Sequence, residues 1–235
     1  MKCSVLLLLI SAFVFAQGPS EVEITAEAHH HLLLANDQVR VFSVEVAPHS
    51  ETLMHWHRHD YIYVSLGEAE VVNAVKGKDP VTVKLQDGEA VFTAGGFAHI
   101  ARNLADQPFR NVTIELLQDA KLRESSPLAM QSRGLEILQG GTKEILFVKD
   151  GVRVSEVELQ PKGRVPLSAG PVLLVAVDNK VDLQQASPRS SSTGNASMMV
   201  SLGAAEVQWL PATHLKQLDC LGHPAKMILL EFPQR

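Results

Sequence analysis

The chain is predicted to be all-β, folded as two barrel-like modules behind a short N-terminal leader. Three observations predict this. Apolar and polar positions alternate in many short runs: Val39, Val41, Ser43 and Glu45 interleave with Arg40, Phe42, Val44 and Val46, the period of a strand with two distinct faces. Turn-forming residues punctuate such runs at Pro48, Gly67, Asp79-Pro80, Asp87-Gly88 and Gln107-Pro108, as in a sandwich or barrel. The second half also repeats the first at a nearly constant distance. A length of 235 residues accommodates two modules of about 100–150 residues. With 46% hydrophobic and 20% charged residues the chain can build a packed core, which excludes wholesale disorder.

Taken in order, the leader comes first. Met1-Lys2 is a short basic start, residues 5–14 are almost unbroken hydrophobe, and Val14-Phe15-Ala16 has the small residues a signal peptidase reads. This is the pattern of a secretory signal peptide over residues 1–16, cleaved after Ala16. The apolar run is shorter than the about 20 residues that span a bilayer as a helix. Cys3 precedes that run, so it is not a lipoprotein cysteine. Cleavage would leave Cys220 as the one cysteine, with no internal disulfide. A secreted or periplasmic protein, free of the membrane after cleavage, is the expectation. Asn111-Val112-Thr113 and Asn195-Ala196-Ser197 match the glycosylation sequon and are read as chance.

Strand-like runs follow at 39–46, 61–66, 70–75, 81–85 and 112–117. The best helix candidate is 119–131, within a connection at 119–140. The second module, 141–235, repeats the first, 17–118. Val39-Arg40-Val41 with Glu45 and Pro48 recurs as Val152-Arg153-Val154 with Glu158 and Pro161, an offset of 113. Gly88 and His99 recur as Gly203 and His214 at 115, and Pro108 and Glu115 as Pro224 and Glu231 at 116. So small a drift indicates duplication of one module. Arg40 with Glu115, and Arg153 with Glu231, are expected as cross-strand ion pairs. Residues 186–196, rich in Ser, read as a loop.

A net charge of −5 argues against nucleic acid, which calls for a basic patch. Ten histidines among twelve aromatics are the unusual entry in the composition. The sharpest cluster is Met54-His55-Trp56-His57-Arg58-His59-Asp60-Tyr61-Ile62-Tyr63. Residues two apart on a strand share a face, so His55 and His57 point the same way and Trp56 points away. His99 follows in Gly88-x5-Ala94-Gly95-Gly96-x2-His99-x3-Asn103, where the paired glycines suggest a tight turn that delivers His99 from a neighbouring strand. Three neutral imidazoles with open positions suit one divalent transition metal: Fe, Mn, Ni, Cu or Zn.

These two segments resemble the paired motifs of the cupin superfamily, G-x5-H-x-H-x3–4-E-x6-G and G-x5-P-x-G-x2-H-x3-N. His55 and His57 fall on the histidines of the first motif, with Gly67 near its closing glycine. Gly88, Gly96, His99 and Asn103 match the second. The resemblance implies two double-stranded β-helix (jelly-roll) barrels, with a metal in the first at His55, His57 and His99. The opening glycine of motif one is missing, with His49 or Ser50 near its place. The family's glutamate ligand should fall at Tyr61 or Ile62, and neither is a carboxylate. His59 or Asp60 is the candidate fourth ligand.

Tyr61 and Tyr63, at strand spacing, are candidate catalytic residues that would line the pocket and hydrogen-bond a metal-bound ligand. Asn103 is expected to hold a turn. His29-His30-His31 precedes the first strand and is read as a surface cluster with no part in the site. At the 113 offset His55, His57 and Tyr61 become Ser168, Gly170 and Leu174, so the second module lacks metal ligands and is read as structural. The leading expectation is a mononuclear-metal dioxygenase-type enzyme acting on a small organic molecule, with isomerisation of a sugar or keto acid also compatible. A small-molecule or carbohydrate binding module without turnover is the alternative, and a barrel merely stabilised by its metal is a third. Barrels of this family are often dimers, so the resemblance also implies a homodimer.

Overall fold

The computed structural model describes residues 21–117, 134–178, 180–185, 199–212 and 217–234. The leader, the helix candidate at 119–131, the loop at 186–196, the sequon at Asn195 and His214 lie outside the described residues. No α-helix occurs among the described residues. The first barrel contains β1 (Val22–Glu23), a 3-10 turn (Ile24–Ala26), β2 (His30–Ala35), β3 (Val39–Val46), β4 (His55–His57), β5 (Tyr61–Ser65), β6 (Ala69–Val75), β7 (Val81–Leu85), β8 (Ala90–Thr93), β9 (Phe97–Asn103) and β10 (Phe109–Leu116). The second contains β11 (Gly134–Leu138), β12 (Gly141–Lys149), β13 (Val152–Leu159), β14 (Arg164–Pro166), β15 (Val172–Ala176), β16 (Val181–Gln185), β17 (Met199–Leu202), β18 (Val207–Leu210), β19 (Gln217–Cys220) and β20 (Ala225–Glu231). Strand β11 lies inside the stretch expected from sequence to be connection.

Sheet order recurs between the two barrels. The first barrel pairs a β1-β4-β9-β6-β7 sheet with a β2-β3-β10-β5-β8 sheet. The second has β14-β19-β16-β17 and β11-β12-β13-β20-β15-β18. Adding ten to each number in β4-β9-β6-β7 and β3-β10-β5-β8 reproduces the second barrel, so all eight strands of the jelly roll recur with the same neighbours. The expected ion pairs fall on directly opposed residues, Glu115 with Arg40 and Glu231 with Arg153. Both carboxylates are buried, Arg40 is partly exposed, and Lys143 Nζ joins Glu231 at 2.8 Å.

Alternation along the strands decides what each barrel holds. On β10, Val112, Ile114 and Leu116 face outward and Asn111, Thr113 and Glu115 face inward; all six are buried. The outward set joins Val39, Val41, Ile62 and Val64 in one apolar cluster with Val152, Val154, Leu173, Val175, Ile228 and Leu230 of the second barrel. The barrels are thus packed sheet on sheet. Inside the second barrel lies an apolar cluster that includes Val165, Leu174, Leu183, Leu218, Met227 and Leu229. Inside the first, Phe42, Val44, Val46, Val71, Leu85 and Phe109 share the space with histidines and other polar groups.

Candidate metal centre

Strands β4 and β9 run antiparallel with His55 directly opposite His99, and His57 lies one inward position along β4. The turns that precede these residues are locked together. Gly96 N donates to His57 O at 2.7 Å, and Gly95 N donates to Asp60 Oδ1 at 2.9 Å. A Cβ on Gly95 would sit 2.3 Å from the His59 carbonyl oxygen, so only glycine permits this approach, and Gly96 adopts φ +86°. The paired glycines therefore set where β9 begins, and with it the place of His99.

The three imidazoles meet at their Nε2 atoms. His57 Nε2 lies 3.2 Å from His55 Nε2 and 3.1 Å from His99 Nε2. Two nitrogens held at about 2.0–2.1 Å from one ion, at octahedral or tetrahedral angles, are about 2.8–3.4 Å apart. The outer nitrogens fix the tautomers: His55 Nδ1 donates to the Leu53 carbonyl at 2.8 Å, and His99 Nδ1 donates to Asn73 Oδ1 at 2.7 Å. In their neutral forms both rings then present bare Nε2 lone pairs. His57 Nδ1 is buried without a hydrogen-bond partner among the described residues. At most one of the two Nε2 contacts can be a hydrogen bond, because His57 has one proton to give. A cation accepts all three lone pairs, so the donor set fits a divalent transition metal.

Burial, reinforced by the neighbouring histidines, lowers the pKa of His55 to about 4 and that of His99 to about 3, and holds His57 well below the usual histidine range. All three are therefore neutral at physiological pH, the state a metal requires.

His30 is the residue sequence reasoning missed. It faces inward from β2 opposite Val44, and its side chain is almost fully buried. Its ring lies 4.7 Å from that of His55, and the ligand atoms of His30, His55 and His57 all lie within 4.8 Å of one another. The expectation of a surface cluster is corrected for this residue, while His31 is exposed. Strand β2 begins at His30, so alternation sets it opposite to His31 without saying which of the two faces inward.

Other expected site residues are placed as follows. Tyr61 stacks on His57 at 4.1 Å and 20°, and both Tyr61 and Tyr63 line the cavity beside the histidines. Burial raises both phenols, Tyr63 to about 12 with help from Glu89, and Tyr61 higher still despite a hydrogen bond with Thr93. Asp60 is spent on the Gly95 turn, and neither it nor His59 lines the cavity. Asn103 is buried and donates to Val46 O at 3.0 Å and Gln107 O at 2.8 Å, while its Oδ1 accepts from Ala105 N at 3.0 Å. Gly88 has φ +78° in the turn before β8. His49, near the place of the missing glycine of motif one, has φ +56°, a left-handed backbone that favours glycine. Trp56 faces away from the histidines, with the Arg58 guanidinium 4.2 Å from its ring. Asn111 is buried in the barrel and lines the cavity, so its sequon is inaccessible.

The cavity measures about 100 Å³. Histidines form one end, Val44, Val71, Val83, Leu85 and Phe109 the apolar wall, and Tyr63, Asn111 and Thr113 a polar strip. No Asp, Glu, Lys or Arg lines it among the described residues. In the second barrel the strand equivalent to β4 is β14, whose inward residue Val165 lies opposite Leu218. Ser168 and Gly170 fall beyond that strand, which corrects the 113-residue alignment at this point, though these strands too present no histidine.

No protein-family model matches the chain, and no curated protein matches it in sequence. Among solved structures the likeness is extensive. One structure of oxalate decarboxylase superposes on 85% of this chain and 70% of its own, with a TM-score of 0.58 and 10% identity. Bacillus subtilis oxalate decarboxylase, described with its Mn(II) centres, superposes on 90% of this chain and 76% of its own, with a TM-score of 0.58 and 11% identity. A cupin domain from Bordetella pertussis Tohama I aligns with 37% of this chain and 90% of its own at 26% identity, with a TM-score of 0.36. The chain has the fold of the cupin superfamily, in its two-barrel form. Within that fold, the first barrel carries a histidine cluster suited to a divalent metal.

Proposed function

We propose that the first barrel holds one divalent transition metal at His55, His57 and His99 and receives a small organic molecule in the adjoining cavity, with dioxygenase-type cleavage of that molecule as the reaction. The observation that carries the reading is the approach of His55 and His99 Nε2 to His57 Nε2, at 3.2 and 3.1 Å, at the end of the cavity. A bound transition metal would supply Lewis acidity and, where redox-active, access to dioxygen. In a dioxygenase both oxygen atoms end in the product, so no outside reductant is required.

The chain's own residues would do the rest. The apolar wall excludes water and selects an uncharged or singly charged ligand with a short apolar tail, since no fixed charge stands ready to pair with a second one. Tyr63, protonated at neutral pH, would donate a hydrogen bond to an oxygen of the ligand. Tyr61, stacked on His57, would hold that ring in place. The leader at residues 1–16 would direct the protein to the periplasm or outside the cell.

A binding module without turnover is favoured by one observation: among the described residues, no carboxylate or lysine lines the cavity to serve as a general base. The test is metal analysis of the full-length chain and its leader-free form, followed by oxygen uptake over a panel of diketones, thiols and flavonols after iron loading. About one ion per chain is expected, lost in His55→Ala. Oxygen uptake supports the enzyme, and ligand binding without uptake supports the binding module. A chain that takes up no transition metal refutes both.

A further inference from the structure

The three-histidine reading leaves the place of the family's glutamate without a carboxylate. Tyr61 stacks on His57, and Ile62 is turned toward the second barrel. Across the site, however, His30 projects inward from β2. The His30 ring centroid is 4.7 Å from that of His55 and 6.2 Å from that of His57. Its ligand atom and those of His55 and His57 lie within 4.8 Å of one another. Nitrogens sharing an ion at about 2.0–2.1 Å are at most about 4.2 Å apart, so a small side-chain adjustment brings His30 within reach of an ion on His55 and His57.

A second observation concerns what stands behind His30. Glu27 is a buried carboxylate, 2% exposed. One oxygen accepts from His30 Nδ1 at 2.7 Å and from His29 N at 2.8 Å. The other accepts from His29 Nδ1 at 2.9 Å and from Leu53 N at 3.1 Å. The Glu27 carboxylate thus engages His30 through Nδ1 and leaves Nε2 as the ring nitrogen free for a metal. A carboxylate behind the outer nitrogen is the arrangement that orients metal-bound histidines and strengthens them as donors. An exposed histidine that collects metal by accident would have no buried carboxylate behind it. Glu27 also ties Leu53, two residues before His55, to the same anchor.

We propose that His30 is a fourth nitrogen donor to the metal held by His55, His57 and His99, and that Glu27 is its positioning residue. This rests on the three-histidine reading above and makes the shell wholly imidazole, with the one nearby carboxylate set behind a ligand instead of on the ion.

Copper(II) serves as the probe, on the full chain. Electron paramagnetic resonance of the wild-type protein should show coupling to four nitrogens, reduced to three in His30→Ala. Zinc affinity, measured by competition with a chromophoric chelator, should fall 10–100-fold in His30→Ala and about 10-fold or more in Glu27→Gln. His31→Ala removes an exposed histidine of the same cluster and should change neither reading. Should Glu27→Gln fail to fold, His30→Ala and His31→Ala decide the matter. Coupling to three nitrogens in the wild type, or equal losses in His30→Ala and His31→Ala, overturns the fourth donor and leaves the three-histidine site standing. A wild-type chain that binds neither ion overturns both.

Discussion

Replacing Arg40 by Met isolates the charge that a buried carboxylate needs. Glu115 is 0% exposed, and its Oε2 accepts from Arg40 Nε at 2.8 Å and Nη2 at 2.7 Å. Its Oε1 has no partner among the described residues, and burial already raises its pKa against the pull of Arg40. Methionine retains most of the aliphatic stem and removes the guanidinium. A buried carboxylate stripped of its partner costs about 3–5 kcal/mol, but it can escape that cost by protonating. From a reference carboxyl near pKa ~4.3, protonation at pH 7 costs about 4 kcal/mol, and at pH 5 about 1 kcal/mol.

Arg40→Met should therefore lose about 3–4 kcal/mol at pH 7 and only about 1 kcal/mol at pH 5, beyond any packing loss common to both. The sign follows from proton counting. In the variant the folded chain keeps a proton that the unfolded chain sheds, so stability is present below the unfolded pKa and lost as pH rises above it. Urea unfolding at both pH values, followed by Trp56 fluorescence in a Trp209→Phe background, reports on the first barrel. Adding Glu115→Gln should remove the pH dependence. An equal loss at pH 5 and pH 7 would refute the reasoning and reduce Arg40 to a packing residue.

Two further substitutions probe the scaffold of the site. Gly95→Ala places a Cβ 2.3 Å from the His59 carbonyl oxygen, with backbone on both sides. It should cost about 1–3 kcal/mol and weaken metal binding, because the turn it displaces sets both His57 and His99; thermal unfolding without metal and zinc titration read the two effects. Asn103→Ala leaves the Val46 and Gln107 carbonyls and the Ala105 N–H without the partner they share. It should lower stability by about 2–4 kcal/mol in denaturant unfolding, while Asn103→Asp, which keeps the acceptor for Ala105, falls between.

The parts of the site that depend on local spacing are legible in the sequence. His55 and His57 share a face because strands repeat every two residues, and the paired glycines before His99 signal a turn that only glycine can make. What depends on partners distant along the chain is not legible. His30 enters the site because β2 pairs with β3 in a register that sets it opposite Val44, and because Glu27 bridges it to Leu53. Neither fact is written near His30. Asp60 looks available as a ligand from its neighbours, yet the Gly95 amide, 35 residues away, claims its carboxylate. The second barrel shows the same limit, since one offset cannot follow turns that differ in length; strand pairing sets Val165 opposite Leu218 in the equivalent pair of strands, not Ser168.

The two barrels divide the demands of folding and chemistry between them. A cavity lined by histidines, tyrosines and asparagines leaves the first barrel with a small apolar interior, and each polar group placed there needs its own hydrogen-bond partner. The second barrel fills the equivalent space with aliphatic side chains and presents no histidine on its described strands. Its outer sheet then covers Val39, Val41, Ile62, Val64, Val112, Ile114 and Leu116 of the first. Full burial of each such side chain is worth about 1.5–3 kcal/mol, so the contact restores to the first barrel apolar burial that its interior gives up to the site. Strand β10 carries both roles at once: its outward residues are shared core, while Asn111 and Thr113 line the cavity and Glu115 anchors Arg40. The second barrel is thus the apolar surface against which the first, with its polar interior, packs.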